Sequence, residues 1–436
     1  MCLRTWLARS DHKRRKLKTQ SLIPDFERHV LDNGLTVLLQ PDPSTALAAV
    51  CVLYKAGSRD ERPGKTGIAH LFEHLMFSNC GPGVDFDALL QNAGGDCNAF
   101  TTTDTTQYYS IAPAGQLGLM LALEANRIGG YRVSKKDFIT QRRVVLEEFS
   151  ESHLNNPYGM FSHELMALAY ETHPYRWPVI GEGTEVLEQL QPADAEDFYH
   201  RFYHPSNAIL VITGHFDPAS AMELVVQHFG HLKPGDPPAR NYPVENKLTN
   251  VRSKTIWRDV PEEGFYYAFP CCSRTDPDFY ALDFLTDSLS EGKSSLLYRI
   301  LKKERMICSS VDCYLTSTRD PGLAIVEGKI APGHSIESAQ SVFWEILAGL
   351  KQELLDAHAM EKYRNKNESA YLFSQLGLMN QALNLSYAEW LGNPQLVYTE
   401  YENYARLTAE DIRNAAERYF PTDCYCSLYY RFPDPS

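Results

Sequence analysis

No apolar run in this chain approaches the ~20 residues that a bilayer-spanning helix needs. There is no Cys-x-x-Cys pair, which removes zinc ribbons and dithiol redox motifs from consideration. There is also no cationic surplus: 42 Lys and Arg stand against 55 Asp and Glu, a net charge of −13. Nucleic-acid phosphates need Lys and Arg, and no recognition helix, zinc finger or aromatic RNA-binding signature makes up for their shortage. The basic N-terminus (Arg4, Arg9, Lys13, Arg14, Arg15, Lys16 and Lys18) leads into no apolar segment with a small-residue cleavage site, so no secretory signal is expected. Residues 1–24 read as a disordered basic arm, with a mitochondrial-type transit segment as the alternative.

The 436 residues are 44% hydrophobic and 22% charged, the balance of a soluble globular protein of more than one domain. Ten cysteines are scattered without pattern, which fits a reducing compartment better than a disulfide framework. We therefore expect a cytoplasmic protein rather than one of the mitochondrial matrix.

The text alternates strands and helices. "FERHVLDNGLTVLLQ" reads as a hairpin around Asn33-Gly34, and "LAAVCVLYKAG" as the next strand. "GIAHLFEHLMF" and "FDALLQNAGGD" read as helices, and the Thr- and Tyr-rich "CNAFTTTDTTQYYSIAP" as paired strands. The stretch 232–247, "LKPGDPPARNYPVENK" in context, has four prolines and no periodicity and reads as a linker. It divides the chain into domains at 25–231 and 248–436. The second half echoes the first. "AEDFYHRFYHPSNAILVITGHFDP" and "AEDIRNAAERYFPTDCYCSLYYRFPDP" are each a helix, a Pro-containing turn and a strand ending at Asp-Pro. Internal duplication follows, with two homologous α+β domains, each a mainly antiparallel sheet packed with helices.

"GIAHLFEHLMF" carries His70, Glu73 and His74 in an otherwise oily run. At about 100° per residue the three share one narrow face, opposite Ile68, Leu71, Phe72, Leu75 and Met76. Such a helix is either an amphipathic element with an ordinary polar face or the floor of a metal site. Two histidines at i, i+4 reach one ion. Neutral imidazoles suit Zn²⁺, which in catalytic sites takes three protein ligands and keeps one open position. A carboxylate between them is placed to take a proton from water. A third ligand must come from elsewhere. "TQRRVVLEEFSES" offers Glu147, Glu148 and Glu151, among which periodicity does not choose.

"HLFEHLMF" followed by "RRVVLEE" resembles the inverted-motif (HxxEH) zinc metallopeptidases, the family of pitrilysin, insulin-degrading enzyme and the mitochondrial processing peptidase. "KAGSRDE", "NAGGDCNAFTTTDTTQYY", "HPYRWPVIG" and "YHPSNAILVITGHFDP" extend the resemblance over most of the chain. It implies one Zn²⁺ per chain held by His70, His74 and Glu148, with Glu73 as general base. It also implies that Asn98, Ala99 and Phe100 lie on an edge strand to which a peptide substrate adds as a further strand.

Two departures stand out. Gln141 occupies a position where the family usually has an acidic residue, so a ligand-orienting role there would run through a hydrogen bond. Family members that complete the site carry an Arg and, two helical turns on, a Tyr, which stabilise the substrate carbonyl as charge develops. Leu301 and Cys308 stand at those positions here. In the duplicated half, Asp283, Thr286 and Asp287 replace the His-Glu-His set, which suggests a single metal site. The expected protein is a zinc endopeptidase forming half of a clamshell, with a homologous partner subunit supplying the Arg/Tyr pair in a heterodimer. The alternative is a non-catalytic scaffold subunit that keeps the peptidase fold.

Overall fold

A computed structural model describes residues 24–79 and 84–433. The basic arm therefore lies outside the described residues, apart from Pro24, whose carbonyl accepts hydrogen bonds from Gln40 and Tyr398. Eleven strands are described: β1 (Glu27–Val30), β2 (Thr36–Pro41), β3 (Leu47–Tyr54), β4 (Asp96–Thr101), β5 (Thr106–Pro113), β6 (Ala208–Gly214), β7 (Arg252–Trp257), β8 (Gly264–Pro270), β9 (Cys308–Leu315), β10 (Leu323–Ile330) and β11 (Cys426–Arg431). They form a six-stranded sheet in the order β1-β2-β6-β3-β5-β4 and a five-stranded sheet in the order β7-β11-β8-β10-β9.

Without β1, the two orders are the same. Each half supplies a first strand that pairs in parallel with the last strand of its sheet, β2 with β6 and β7 with β11. The remaining pairs are antiparallel. The duplication read from the two Ala-Glu-Asp helices is thus a duplication of topology. Pro192–Phe202 leads into β6, and Ala409–Tyr419 leads into β11. The first hairpin closes as Asn33-Gly34 predicts: Gly34 has φ +85°, and β1 and β2 pair from Val30–Thr36 outward.

One face of each sheet packs on its own helices. In the first half, Val50, Val52 and Leu210 meet Leu71, Phe72 and Leu75 of the helix Ile68–Phe77. In the second, Phe265, Tyr267 and Val326 meet Leu282, Leu285 and Phe343. Strands buried on both faces must read as continuous apolar text, and β3 and β6 do.

The opposite faces are covered by exchange, which the linear reading does not foresee. The helix Leu378–Leu391, from the second half, lays Ala382, Leu385 and Ala388 on Cys51, Leu53, Ile209 and Val211 of the first sheet. The helix Phe161–Ala169, from the first half, lays Leu165 on Tyr266, Ala268, Cys426 and Leu428 of the second. The proline-rich segment 232–247 has no regular secondary structure past Leu232, as its composition predicts, yet it is held down. Tyr242 donates to Asp60 at 2.5 Å, and Glu245 accepts the backbone N–H groups of Thr172 and His173 at 2.8 and 2.9 Å.

Candidate metal centre and substrate edge

The helix Ile68–Phe77 opens at Gly67, whose φ of +83° belongs to the left-handed region. A Cβ there would lie 2.7 Å from the carbonyl oxygen of Ile180. No N-cap side chain serves this helix locally. Glu61 does so from a distance: its two carboxylate oxygens accept the N–H groups of Gly67 at 3.0 Å and Ala69 at 2.9 Å. Ile68, Leu71, Phe72, Leu75 and Met76 are buried in the first core, and the opposite face presents the three polar side chains.

The helix Lys135–Phe149, capped by Ser134 through the Asp137 N–H, runs alongside and delivers Glu148. His70 Nε2 lies 3.7 Å from Glu148 Oε1, and His74 Nε2 lies 3.6 Å from Glu148 Oε2. The ligand atoms of His70, His74 and Glu148 all fall within 4.8 Å of one another, the one such group among the described residues. Of the three glutamates left open by periodicity, Glu148 is the one that converges. The ring of His70 stands at 86° to that of His74, so the two nitrogen lone pairs approach a common point from different directions.

These contacts are not salt bridges. Burial, together with the His74 ring, pushes the His70 imidazole down to about 4. Burial also lowers His74, opposed by Glu148 and by a hydrogen bond to Gln141. Both rings are therefore neutral near pH 7, the form that binds a metal. Two neutral imidazoles and one carboxylate, with Glu148 half-exposed on the open side, fit a catalytic zinc ion. Gln141, where the family usually has an acid, shares a hydrogen bond with His74.

Glu73 is buried, and its Oε2 accepts a 2.5 Å hydrogen bond from the Thr101 hydroxyl. Burial raises its pKa, the Thr101 bond lowers it, and Glu148 raises it again. Thr101 ends β4, the outer strand of the first sheet, which pairs with β5 and has an open second edge among the described residues. Asn98, Ala99 and Phe100 all lie on that strand, where the resemblance places them. The Asn98 side-chain oxygen accepts the Ala99 N–H at 2.8 Å.

Sequence reasoning missed Thr101 as the partner of Glu73, and Glu61 as the remote cap. The first follows from strand alternation, since Thr101 and Ala99 share the face turned to the helix layer. No local spacing signals the second, because five residues of loop separate Glu61 from Gly67.

"KAGSRDE" and "HPYRWPVIG" meet in a buried ionic knot between the halves. Arg59 contacts Asp104 at 2.9 Å and Asp320 at 3.3 Å, and Tyr175 donates to Asp104 at 2.7 Å. Asp104 lies in the β4–β5 turn and also accepts the Arg319 N–H at 2.9 Å. The knot thus ties the hairpin that carries the open edge to the second half. Gly57 enters it with no room for a side chain, since a Cβ would lie 2.5 Å from the carbonyls of Thr102 and Thr103.

Among the described residues, the second half holds no equivalent centre. Asp283 accepts the Tyr404 hydroxyl at 2.6 Å, and the Thr286 hydroxyl donates to the Asp283 carbonyl. Leu301 and Cys308 are buried in the second core, so neither faces a substrate.

Comparison with known proteins supports the same reading. Residues 36–183 match the family model described as Insulinase (Peptidase family M16), and residues 189–367 match Peptidase M16 inactive domain. The chain is 30% identical over 413 residues to the zinc protease PqqE of Helicobacter pylori, spanning 93% of this chain and 92% of that one. A crystal structure of a protease from Helicobacter pylori superposes with a TM-score of 0.89 at 27% identity, covering 94% of this chain and all of the other. The periplasmic protease PqqL of Escherichia coli shares the fold at a TM-score of 0.76 and 17% identity. There, 94% of this chain covers only 49% of the longer one.

Proposed function

The chain belongs to the insulinase family of peptidases, M16, and from that premise we propose that it is a zinc-dependent endopeptidase of peptides or unfolded segments. One observation carries the proposal: His70, His74 and Glu148 converge within 4.8 Å beside Glu73, which in turn touches the open edge of β4. His70, His74 and Glu148 would hold one Zn²⁺ per chain, with Gln141 orienting His74. An ion held there would supply Lewis acidity, enough to let a water molecule lose a proton near neutral pH.

The protein's own groups do the rest. A substrate peptide adds to β4 along Asn98, Ala99 and Phe100 through main-chain hydrogen bonds. This holds the scissile carbonyl beside Glu73. Glu73 takes the proton from the attacking water and passes it to the leaving nitrogen. Burial keeps this carboxylate above its ordinary range, closer to the working pH, while Thr101 fixes which oxygen faces the water.

Nothing at Leu301 or Cys308 steadies the carbonyl oxygen as charge grows on it. We assign that task to a homologous partner subunit bearing an Arg/Tyr pair, in a heterodimer. Support comes from length: a protease of the same fold holds about twice this much chain in one polypeptide.

Metal content and hydrolysis test the reading together. Protein prepared without chelator is expected to carry one zinc per chain. Glu73→Gln is expected to keep the zinc and to lose hydrolysis by about 10²–10⁴-fold, the worth of a general base. Absence of zinc would favour the non-catalytic scaffold. Full activity of the chain alone, unchanged by any partner, would overturn the heterodimer.

A further inference from the structure

Beside the open edge of β4 lies a cavity of about 240 Å³. Phe77, from the last turn of the helix that carries His74, and Leu90, which is fully buried, form its floor. Asp87, Gln91 and Asp96 are exposed and form its rim, and Asn98 closes it on the strand side. No cation lines it. Arg127 stacks on the rings of Phe77 and Phe86 from within the core, and its charge is answered by Glu124 at 3.2 Å. The segment 78–85, which joins the two helices of the cavity wall, has Asp85 as its one charged residue. The field at the rim is therefore negative.

Strand register says what reaches this cavity. Thr101, Ala99 and Cys97 alternate onto the helix side of β4, and Cys97 donates its thiol hydrogen to Asp87 at 3.1 Å. Two to four residues along a strand span about 7–13 Å. A peptide paired to β4 with its scissile carbonyl at Glu73 thus turns a side chain a few positions away toward the cavity. An oily floor with a carboxylate rim accepts the stem and the head of a long cationic side chain. It suits an acidic side chain poorly, and a short one leaves it unfilled.

We infer that this cavity is a specificity pocket for a Lys or Arg side chain of the substrate, with Asp87 and Asp96 as the residues that select charge. The inference rests on the peptidase reading and deepens it.

Binding separates the two. Unstructured peptides of otherwise uncharged sequence, with one position scanned as Lys, Arg, norleucine or Glu, are titrated by fluorescence anisotropy against zinc-loaded Glu73→Gln protein at physiological salt. At the best position, Lys or Arg is expected to bind about tenfold more tightly than norleucine, and Glu more weakly still. Asp87→Asn with Asp96→Asn is expected to remove the preference. Asp87→Lys with Asp96→Lys is expected to invert it toward Glu, a gain that misfolding cannot mimic. Equal binding of Lys, norleucine and Glu peptides overturns the pocket and leaves the peptidase reading standing. A cation preference that survives the double Asn variant overturns it too, by showing that the overall acidity of the chain is the cause. If no peptide binds in any form, the peptidase reading fails and the pocket fails with it.

Discussion

The helices Ile68–Phe77 and Phe279–Ser290 occupy matching places in two sheets of matching order, and they do opposite things with their polar residues. In the second half, Asp283 is closed off by Tyr404, and no three metal-ligating side chains converge there among the described residues. In the first, two imidazole nitrogens and a carboxylate face one another without donating. A fold evidently tolerates buried polar groups here in either of two ways: satisfied internally, as hydrogen bonding ordinarily demands, or left convergent for a ligand.

The comparison breaks first if the halves are independent domains. Each covers the other's sheet. Residues 1–247 expressed alone would therefore expose Leu53, Ile209 and Val211 where Leu385 now packs, an apolar face too large for a soluble monomer. We expect neither 1–247 nor 248–436 to fold alone, and co-expression of the two to restore a stoichiometric complex. Size-exclusion chromatography and circular dichroism of the separate pieces check this, and a cooperative, monomeric 1–247 would refute it.

Next in size is the metal. His74→Asp makes the first helix more like the second and is expected to lower zinc content at least about tenfold, since losing one of three ligands removes most of the affinity. Asp287→His makes the second more like the first and is expected to gain no zinc, because no counterpart of Glu148 stands opposite it among the described residues. Elemental analysis of the two variants, purified side by side, decides whether the asymmetry resides in the whole constellation or in single residues.

Much of this was legible in the chain. The hairpin at Asn33-Gly34, the apolar run of β3 and the Ala-Glu-Asp repeat are local patterns whose physics is local, and they gave the strands and the duplication. His70, Glu73 and His74 were legible for the same reason, being one turn apart. Glu148 needed a family pattern, because periodicity cannot rank Glu147, Glu148 and Glu151. The exchanged helices were not legible at all. Leu378–Leu391 is apolar enough to pack on either sheet, and its partner is chosen by chain path and shape. The proline-rich segment 232–247 lacks periodicity, which matches its lack of helix or strand past Leu232. The carboxylate of Glu245 and the hydroxyl of Tyr242 that bind it down are tertiary facts.

A smaller effect concerns how the two helices begin. Glu61 caps the metal helix through two backbone N–H groups, whereas the helix Phe279–Ser290 has no side-chain cap. Glu61→Ala leaves two buried donors unpaired and is expected to cost about 2–3 kcal/mol in denaturant unfolding. Asp278→Ala at the start of the second helix breaks a partly exposed ion pair with Arg418 and is expected to cost about 1 kcal/mol or less. Equal losses would mean that the remote cap adds nothing special.

The finest contrast is one of sign with pH, in metal-free protein. Folding depresses His70 from 6.5 to about 4, so between those values the unfolded chain binds more protons than the native one. Stability contributed there is full above pH 6.5 and is lost as pH falls toward 4. Folding raises Asp287 from 3.8 to about 7, by burial and by the neighbouring Asp283. Between those values the native chain binds more protons, so stability contributed there is full below 3.8 and is lost as pH rises through 7. At the helix Ile68–Phe77, burial also raises Glu61 and Glu73, which act in the opposite sense to His70. Hydrogen-exchange protection, corrected for intrinsic rates, is therefore read as a difference from the matching variant: the share due to His70 in the helix Ile68–Phe77 is expected to fall, and the share due to Asp287 in the helix Phe279–Ser290 to rise, on moving from pH 7 to pH 5. His70→Leu should flatten the first trend and Asp287→Asn the second. If the two shares move in the same direction, global charge rather than these two buried groups governs the response, and the electrostatic contrast between the halves dissolves.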